Sequence, residues 1–229
     1  EWARSIYANP ESIHREAYRI RGLLEQAAAR ISRCLLGSEC PVLWAPSGTD
    51  LFNLIAALPE LQGREAILSP WEHPALSTNL RRTMRPATIP APDTACIARI
   101  HVQSEIGRIE DIAVWAAESR QAAPEALLVC DTIQSVGKLA LPAGADLYTV
   151  SGHKIGAPGG AALLLATPRA RKLAEPLHQY RARDYRIGRP EPLTVLALAT
   201  AVEAAEHERE TRLERISGIN RSLRQRLDG

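Results

Sequence analysis

Lysine is nearly absent from this 229-residue chain: Lys138, Lys154 and Lys172 are the only three among 28 lysine and arginine residues. Arginine stays protonated and cannot form an imine. A lysine kept in so arginine-rich a chain is therefore a candidate for nucleophilic or Schiff-base work. Long apolar runs are missing too, and none approaches the roughly 20 residues of a membrane span. The opening EWARSIYANPES is no secretory signal, so a cytoplasmic location is expected. No C-x-x-C pair joins Cys34, Cys40, Cys96 and Cys130, and none has a histidine at zinc spacing. Four buried, reduced thiols are expected, and no metal. Arginines and acids are interleaved at a formal net charge of +2, with no basic stripe of the kind nucleic-acid binding requires. Small molecules or protein partners fit this balance better.

What is present suits one globular α/β domain with a sizeable core, at 45% hydrophobic and 24% charged residues. From Asn9 to about Cys34 apolar residues recur at helical spacing. Val42 to Ala45 reads as a strand, Pro46 to Asp50 as a glycine turn, and Leu51 to Leu58 as a helix. Ala66 to Ser69 is a strand leading into Pro70-Trp71-Glu72-His73-Pro74 and a helix from Ala75 to Thr83. Pro86 to Asp93 is proline-rich and is expected to cross the surface. Ile97 to Val102 is a strand, Asp111 to Ala122 a helix, and Ala126 to Cys130 the continuous apolar run of a buried parallel strand ending at Asp131. Another strand delivers Ser151-Gly152-His153-Lys154, Ala161 to Ala166 follows as a strand, and residues 193–227 read as one long helix. The alternation predicts a three-layer α/β/α fold with a mostly parallel sheet of about seven strands.

In such sheets, sites lie beyond the carboxyl ends of the strands. Ser47 to Thr49, His73, Ser104, Asp131, Gln134 and Lys154 all follow strand ends, so one crevice could collect them. Amides at a helix start beside the hydroxyls of Ser47 and Thr49 suit a phosphate, although the same residues serve as ordinary caps. Lys154 precedes its glycines rather than closing them, which is not the spacing of a P-loop.

Five blocks then resemble one family. ANPESIH (Ala8 to His14), EHPAL (Glu72 to Leu76), VQSEIG (Val102 to Gly107), DTIQSVGK (Asp131 to Lys138) and SGHKIGAPGG (Ser151 to Gly160) are similar, in order and spacing, to blocks of cysteine desulfurases. Those are class V aminotransferase-type proteins with the type I fold that depend on pyridoxal 5'-phosphate (PLP). The resemblance implies that Lys154 holds PLP as a Schiff base and Asp131 pairs with the ring nitrogen. It also implies that Gln134 and Ser104 meet the ring hydroxyl, His73 stacks on the ring, and Ser47, Gly48, Thr49, Ser151 and His153 hold the phosphate. Arg189 stands where the family has a threonine that reaches the phosphate of the other subunit, so a homodimer is implied. The family continues into a small C-terminal domain, which leads one to expect residues 1–229 to be the PLP-binding large domain without it, or with a separate chain supplying it.

The function expected from the resemblance is PLP-dependent cleavage of a C–S bond in an amino acid, cysteine first. Other class V eliminations or transaminations stand behind it. A non-catalytic PLP-fold subunit that stabilises a partner, and an unrelated α/β binding domain with a structural SGHK turn, are the competing readings.

Overall fold

The computed structural model describes residues 6, 8–170 and 191–227. Lys172 and Arg189 lie outside the described residues. Helix α1 (Arg15–Leu36) opens the fold, followed by β1 (Val42–Ala45), α2 (Gly48–Ala56), β2 (Glu65–Leu68), α3 (Pro74–Thr83), β3 (Arg85–Ala87) and β4 (Cys96–Ile100). Then come α4 (Ile112–Ala122), β5 (Leu127–Asp131), β6 (Leu147–Ser151), a 3-10 turn at Gly152–Lys154, β7 (Ala162–Ala166), α5 (Pro192–His207) and α6 (Arg209–Leu227).

The seven strands form one sheet in the order β1-β7-β6-β5-β4-β2-β3. Strands β2 to β6 pair in parallel. Strand β7 runs antiparallel to both β1 and β6, so β1 points the same way as β6 and β7 alone is reversed. The loops after β1, β2, β4, β5 and β6 therefore all emerge on one edge of the sheet.

Strand alternation divides the core between two layers. Leu128 and Cys130 of β5, with Tyr148 and Val150 of β6, pack under α1, α4 and α5, where Ile20, Ile31, Trp115, Leu198 and Val202 are buried. Leu127 and Val129 of β5, with Leu147 of β6, face α2 and α3, where Leu51, Phe52, Ile55, Leu76 and Leu80 are buried. Period two continues past these residues to Asp131, Thr149 and Ser151, which places all three on the α2–α3 face.

Several boundaries differ from the sequence reading. Helix α1 starts at Arg15, not Asn9, because the His14 side chain accepts from Ala17 N (3.2 Å) as its cap. Asn9 instead closes a turn, its side chain accepting from Glu11 N (3.0 Å). Within the proline-rich segment, Arg85 to Ala87 is the edge strand β3, and Pro86 is tolerated there because an edge strand need not donate on its outer side. The long C-terminal helix is two helices that meet at Glu208. All four cysteines are free, but only Cys96 and Cys130 are buried, while Cys34 is exposed and Cys40 half-buried. Cys34 lies near the end of α1, outside the stripe that packs on the sheet. Among the described residues no helix is long and apolar enough to cross a membrane.

One buried ion cluster ties the start of β6 to the opposite edge of the sheet from the site. Asp146, 3% exposed, accepts from Leu128 N (2.8 Å) and from Arg120 Nη2, and Arg169 Nε lies 3.5 Å away. Removing the carboxylate leaves the buried Leu128 amide and the Nη2 arm of Arg120 without their acceptor, though Arg120 Nη1 still donates to the carbonyls of Pro124 and Ala126. Asp146→Ala is expected to lower unfolding free energy by roughly 3 kcal/mol, read as a lower denaturant midpoint at unchanged slope. A loss under about 0.5 kcal/mol, the range of an ordinary surface change, would overturn this account.

Candidate active site

Asp131 ends β5 and is the most deeply buried acid of the site, at 3% exposure. Its Oδ1 accepts from Ile133 N (3.0 Å) and from Thr149 Oγ1 (2.8 Å). Thr149 sits opposite Asp131 in the β5–β6 register, and its carbonyl accepts from Thr132 Oγ1 (2.7 Å). Among the described residues Oδ2 has no partner, and Asp131 lines a cavity of about 450 Å³. Burial pushes its carboxyl above the ordinary range, while the two hydrogen bonds and the nearby His73 pull it back. The result is a carboxyl oriented by fixed donors with one oxygen left for a ligand.

At one end of the cavity lies the N-terminus of α2. Ser47 caps it, accepting from Asp50 N (3.2 Å) and donating to Asp50 Oδ2 (2.7 Å). A first-turn acid is common at a helix start. Here it occupies the Ser47 hydroxyl, which must turn to donate to an anion. Gly48 lets the helix approach the turn after Asp131, since a Cβ there would lie 2.6 Å from Ile133 Cδ1. Strand β6 adds Ser151, whose Oγ lies 3.0 Å from His153 Nδ1.

His73 caps α3 through Nδ1, which accepts from Ala75 N (3.1 Å) and so carries no proton in this arrangement. Its Nε2 has no partner among the described residues. Phe52 stacks behind the imidazole, with centroids 6.5 Å apart at 30°, which restricts the ring's tilt. Beyond β4, the Gln103 side chain is consumed within its own turn, accepting from Glu105 N (2.6 Å) and Ile106 N (2.8 Å). Ser104 is left as the residue of that turn that reaches the cavity.

Lys154 closes the 3-10 turn after β6 and is exposed, as is His153. Lys154, which the sequence places just after a strand, follows β6 and stands exposed on the cavity wall. Lys138, outside that turn, is its electrostatic neighbour: burial first, and then the charges of Lys154 and Arg212, push its ammonium below the ordinary value.

The described candidates from the sequence, Ser47, Gly48, Thr49, His73, Ser104, Asp131, Gln134, Ser151, His153 and Lys154, thus line one cavity. Arg189 lies outside the described residues. Phe52, Ile133, Ile100, Thr149 and Glu72 were not picked out. Thr149 was legible, two residues before Ser151 on the same face of a strand. Phe52 and Glu72 act through tertiary contacts, and nothing in their local sequence marks them.

The donor set fits a pyridoxal phosphate. The unengaged oxygen of the buried Asp131 carboxyl suits a protonated ring nitrogen, hydroxyls at a helix N-terminus suit a phosphate, and an exposed amine suits an aldehyde.

The family model for class-V aminotransferases matches residues 80–180. The cysteine desulfurase IscS of Anaeromyxobacter dehalogenans is 25% identical over 252 residues, covering 97% of this chain and 62% of that protein. That of Salmonella arizonae is 27% identical, covering 95% of this chain and 61% of its own length. The chain thus spans less than two thirds of the length of these relatives. Among solved structures, a NifS-like protein superposes with a TM-score of 0.80 at 18% identity, over 99% of this chain and 69% of that one. DndA from Streptomyces lividans gives 0.72 at 22%, over 92% and 68%. The class is therefore a three-layer α/β/α fold shared with NifS-like proteins. Within it, the chain is similar to class-V aminotransferases and cysteine desulfurases, which are PLP-dependent.

Glu72, just before His73, yields a prediction. It is 9% exposed, its Oε1 accepts from Ile100 N (2.8 Å), and its Oε2 is buried without a partner. Burial pushes its carboxyl up to about 8. Ser69 and the Ile100 amide oppose this, the Asp131 charge adds to it, and Arg99 subtracts. A carboxyl with a raised folded pKa binds its proton more tightly when folded, so its stabilisation falls as pH rises from about 4.5 to about 8. Glu72→Gln keeps an oxygen for Ile100 N and carries no charge. The variant should match the cofactor-free parent near pH 5 and exceed it near pH 9, by on the order of a few kcal/mol. A difference that is the same at both pH values in thermal melts would overturn the assignment.

Proposed function

We propose that this chain is the PLP-binding large domain of a cysteine desulfurase-like enzyme that cleaves the C–S bond of an amino acid, with cysteine as substrate. One observation carries the reading: ten residues from five strand ends line one cavity, with one oxygen of the buried Asp131 carboxyl unpartnered among the described residues and an exposed lysine on its wall. A bound pyridoxal ring supplies the electron sink for a carbanion at the substrate α-carbon.

The residues divide the remaining work. Asp131, oriented by Thr149 and Ile133, holds positive charge at the ring nitrogen. Gln134 and Ser104 meet the ring hydroxyl. The N-terminus of α2 with Thr49, and Ser151 with His153, bind phosphate. Lys154 Nζ would carry a proton to and from the substrate α-carbon, and His73, whose Nε2 has no partner among the described residues, would donate a proton to the substrate β-carbon as an acceptor thiolate takes the sulfur. The same reading makes the assembly a homodimer in which Arg189 grips the phosphate of the partner site, as a guanidinium does with charge-assisted bonds.

Adding PLP to the protein should produce a visible absorption band, and borohydride should then fix the cofactor on Lys154, mapped by peptide mass. Fixation on Lys138 would overturn the assignment. Asp131→Ala should retain part of the bound cofactor but lose at least about 100-fold in turnover, the scale of a lost electrostatic contact in a dry site. Cysteine with a thiol reductant as sulfur acceptor should yield alanine and sulfide. Full PLP binding without turnover of any amino acid would replace the enzyme reading with a scaffold.

A further inference from the structure

Gly137 is held from two sides by the junction of α5 and α6. Its N–H donates to Glu206 Oε1 (3.0 Å), and its carbonyl accepts from Arg212 Nη1 (3.0 Å). The partners lie 69 and 75 residues further along the chain. Each is itself braced: Glu206 Oε2 meets Arg209 Nε at 3.0 Å, and Arg212 Nη2 meets Glu208 Oε2 at 2.8 Å. The approach requires glycine. Gly137 has φ +71°, and a Cβ there would lie 2.6 Å from Ala205 Cβ on α5.

The turn held in this way is the one that leaves Asp131. Ser135 N and Val136 N donate to Thr132 O (3.0 and 3.1 Å), and Lys138 N donates to Ser135 O (2.9 Å). Gln134, on the cavity wall, accepts Lys138 Nζ at its carbonyl (2.8 Å). No residue of α6 is buried, so the junction is not explained as core packing by that helix. Its polar contacts converge on one glycine of a site loop.

We propose that Glu206 and Arg212 are positioning residues of the cofactor site: by fixing both backbone groups of Gly137 they hold Gln134 on the cavity wall. Removing either partner leaves a part-buried backbone group unsatisfied and frees the turn. Displacement of a ligand-facing group by a fraction of an ångström is enough to weaken its contact. The inference rests on the PLP reading of the site.

The test uses the 229-residue protein with Glu206→Ala, Glu206→Gln, Arg212→Met and, at the far end of α6, Arg224→Met, which loses only a bond to Asn220. PLP dissociation constants, amide exchange across 132–139 without cofactor, and melting temperature are measured for each. Glu206→Ala and Arg212→Met should weaken PLP binding about 5- to 30-fold, the effect of one hydrogen bond of this kind. Exchange should speed up at 134–139 while the sheet stays protected. Glu206→Gln keeps an acceptor for Gly137 N and should stay within about threefold of the parent, and Arg224→Met should change nothing. Parent-like affinity and exchange in both disruptive variants would overturn the proposal. So would equal losses in Glu206→Gln and Glu206→Ala, which would assign the effect to the Arg209 ion pair. A parent that binds no PLP would remove the cofactor reading and this role with it, a result distinct from a binding parent with indifferent variants.

Discussion

The site depends on one buried carboxyl at the end of a central strand. Water is a far better solvent for a carboxylate than a sheet edge under a helix, so Asp131 is tolerated only because donors are already in place. Thr149 and the Ile133 amide supply them, both on the same oxygen. That asymmetry leaves the second oxygen without a protein partner among the described residues, and it follows from the parallel pairing of β5 with β6, which sets Thr149 opposite Asp131.

Around that carboxyl the charges are graded. Glu72 reaches the neighbouring strand at Ile100, the residue opposite Asp131 in the β4–β5 register. Burial raises both carboxyls, and the Asp131 charge adds to the rise at Glu72. Lys154 is the cation on the cavity wall among the described residues, and the charges of Lys154 and Arg212 both act on Lys138 behind it.

The reversed strand β7 has a topological role. It separates β1 from β6 while leaving both pointing the same way, so the start of α2 and the Ser151–Lys154 turn emerge on one edge with a strand between them. The same arrangement puts α5 on the opposite face, against α1. From there its end reaches around to the turn after β5, so the C-terminal helices touch the site from behind rather than through its cavity.

The local sequence determined the strands, the helices and the strand-end positions of the candidate residues, because apolar periodicity and turn residues are encoded within a few neighbouring positions. It therefore pointed to Asp131, Lys154, His73 and the Ser47 turn, and the order of its blocks pointed to a PLP-type fold. Short-range signals did not reveal β3, whose place comes from pairing with β2. Nor did they reveal the break at Glu208, or that Lys154 stands exposed while Glu72 is enclosed. The placement of Phe52 behind His73 and the grip of Glu206 and Arg212 on Gly137 were decided only by tertiary structure. Each is a contact between segments far apart in the chain, and burial and hydrogen-bond partnership are properties of the packed whole that no single segment carries.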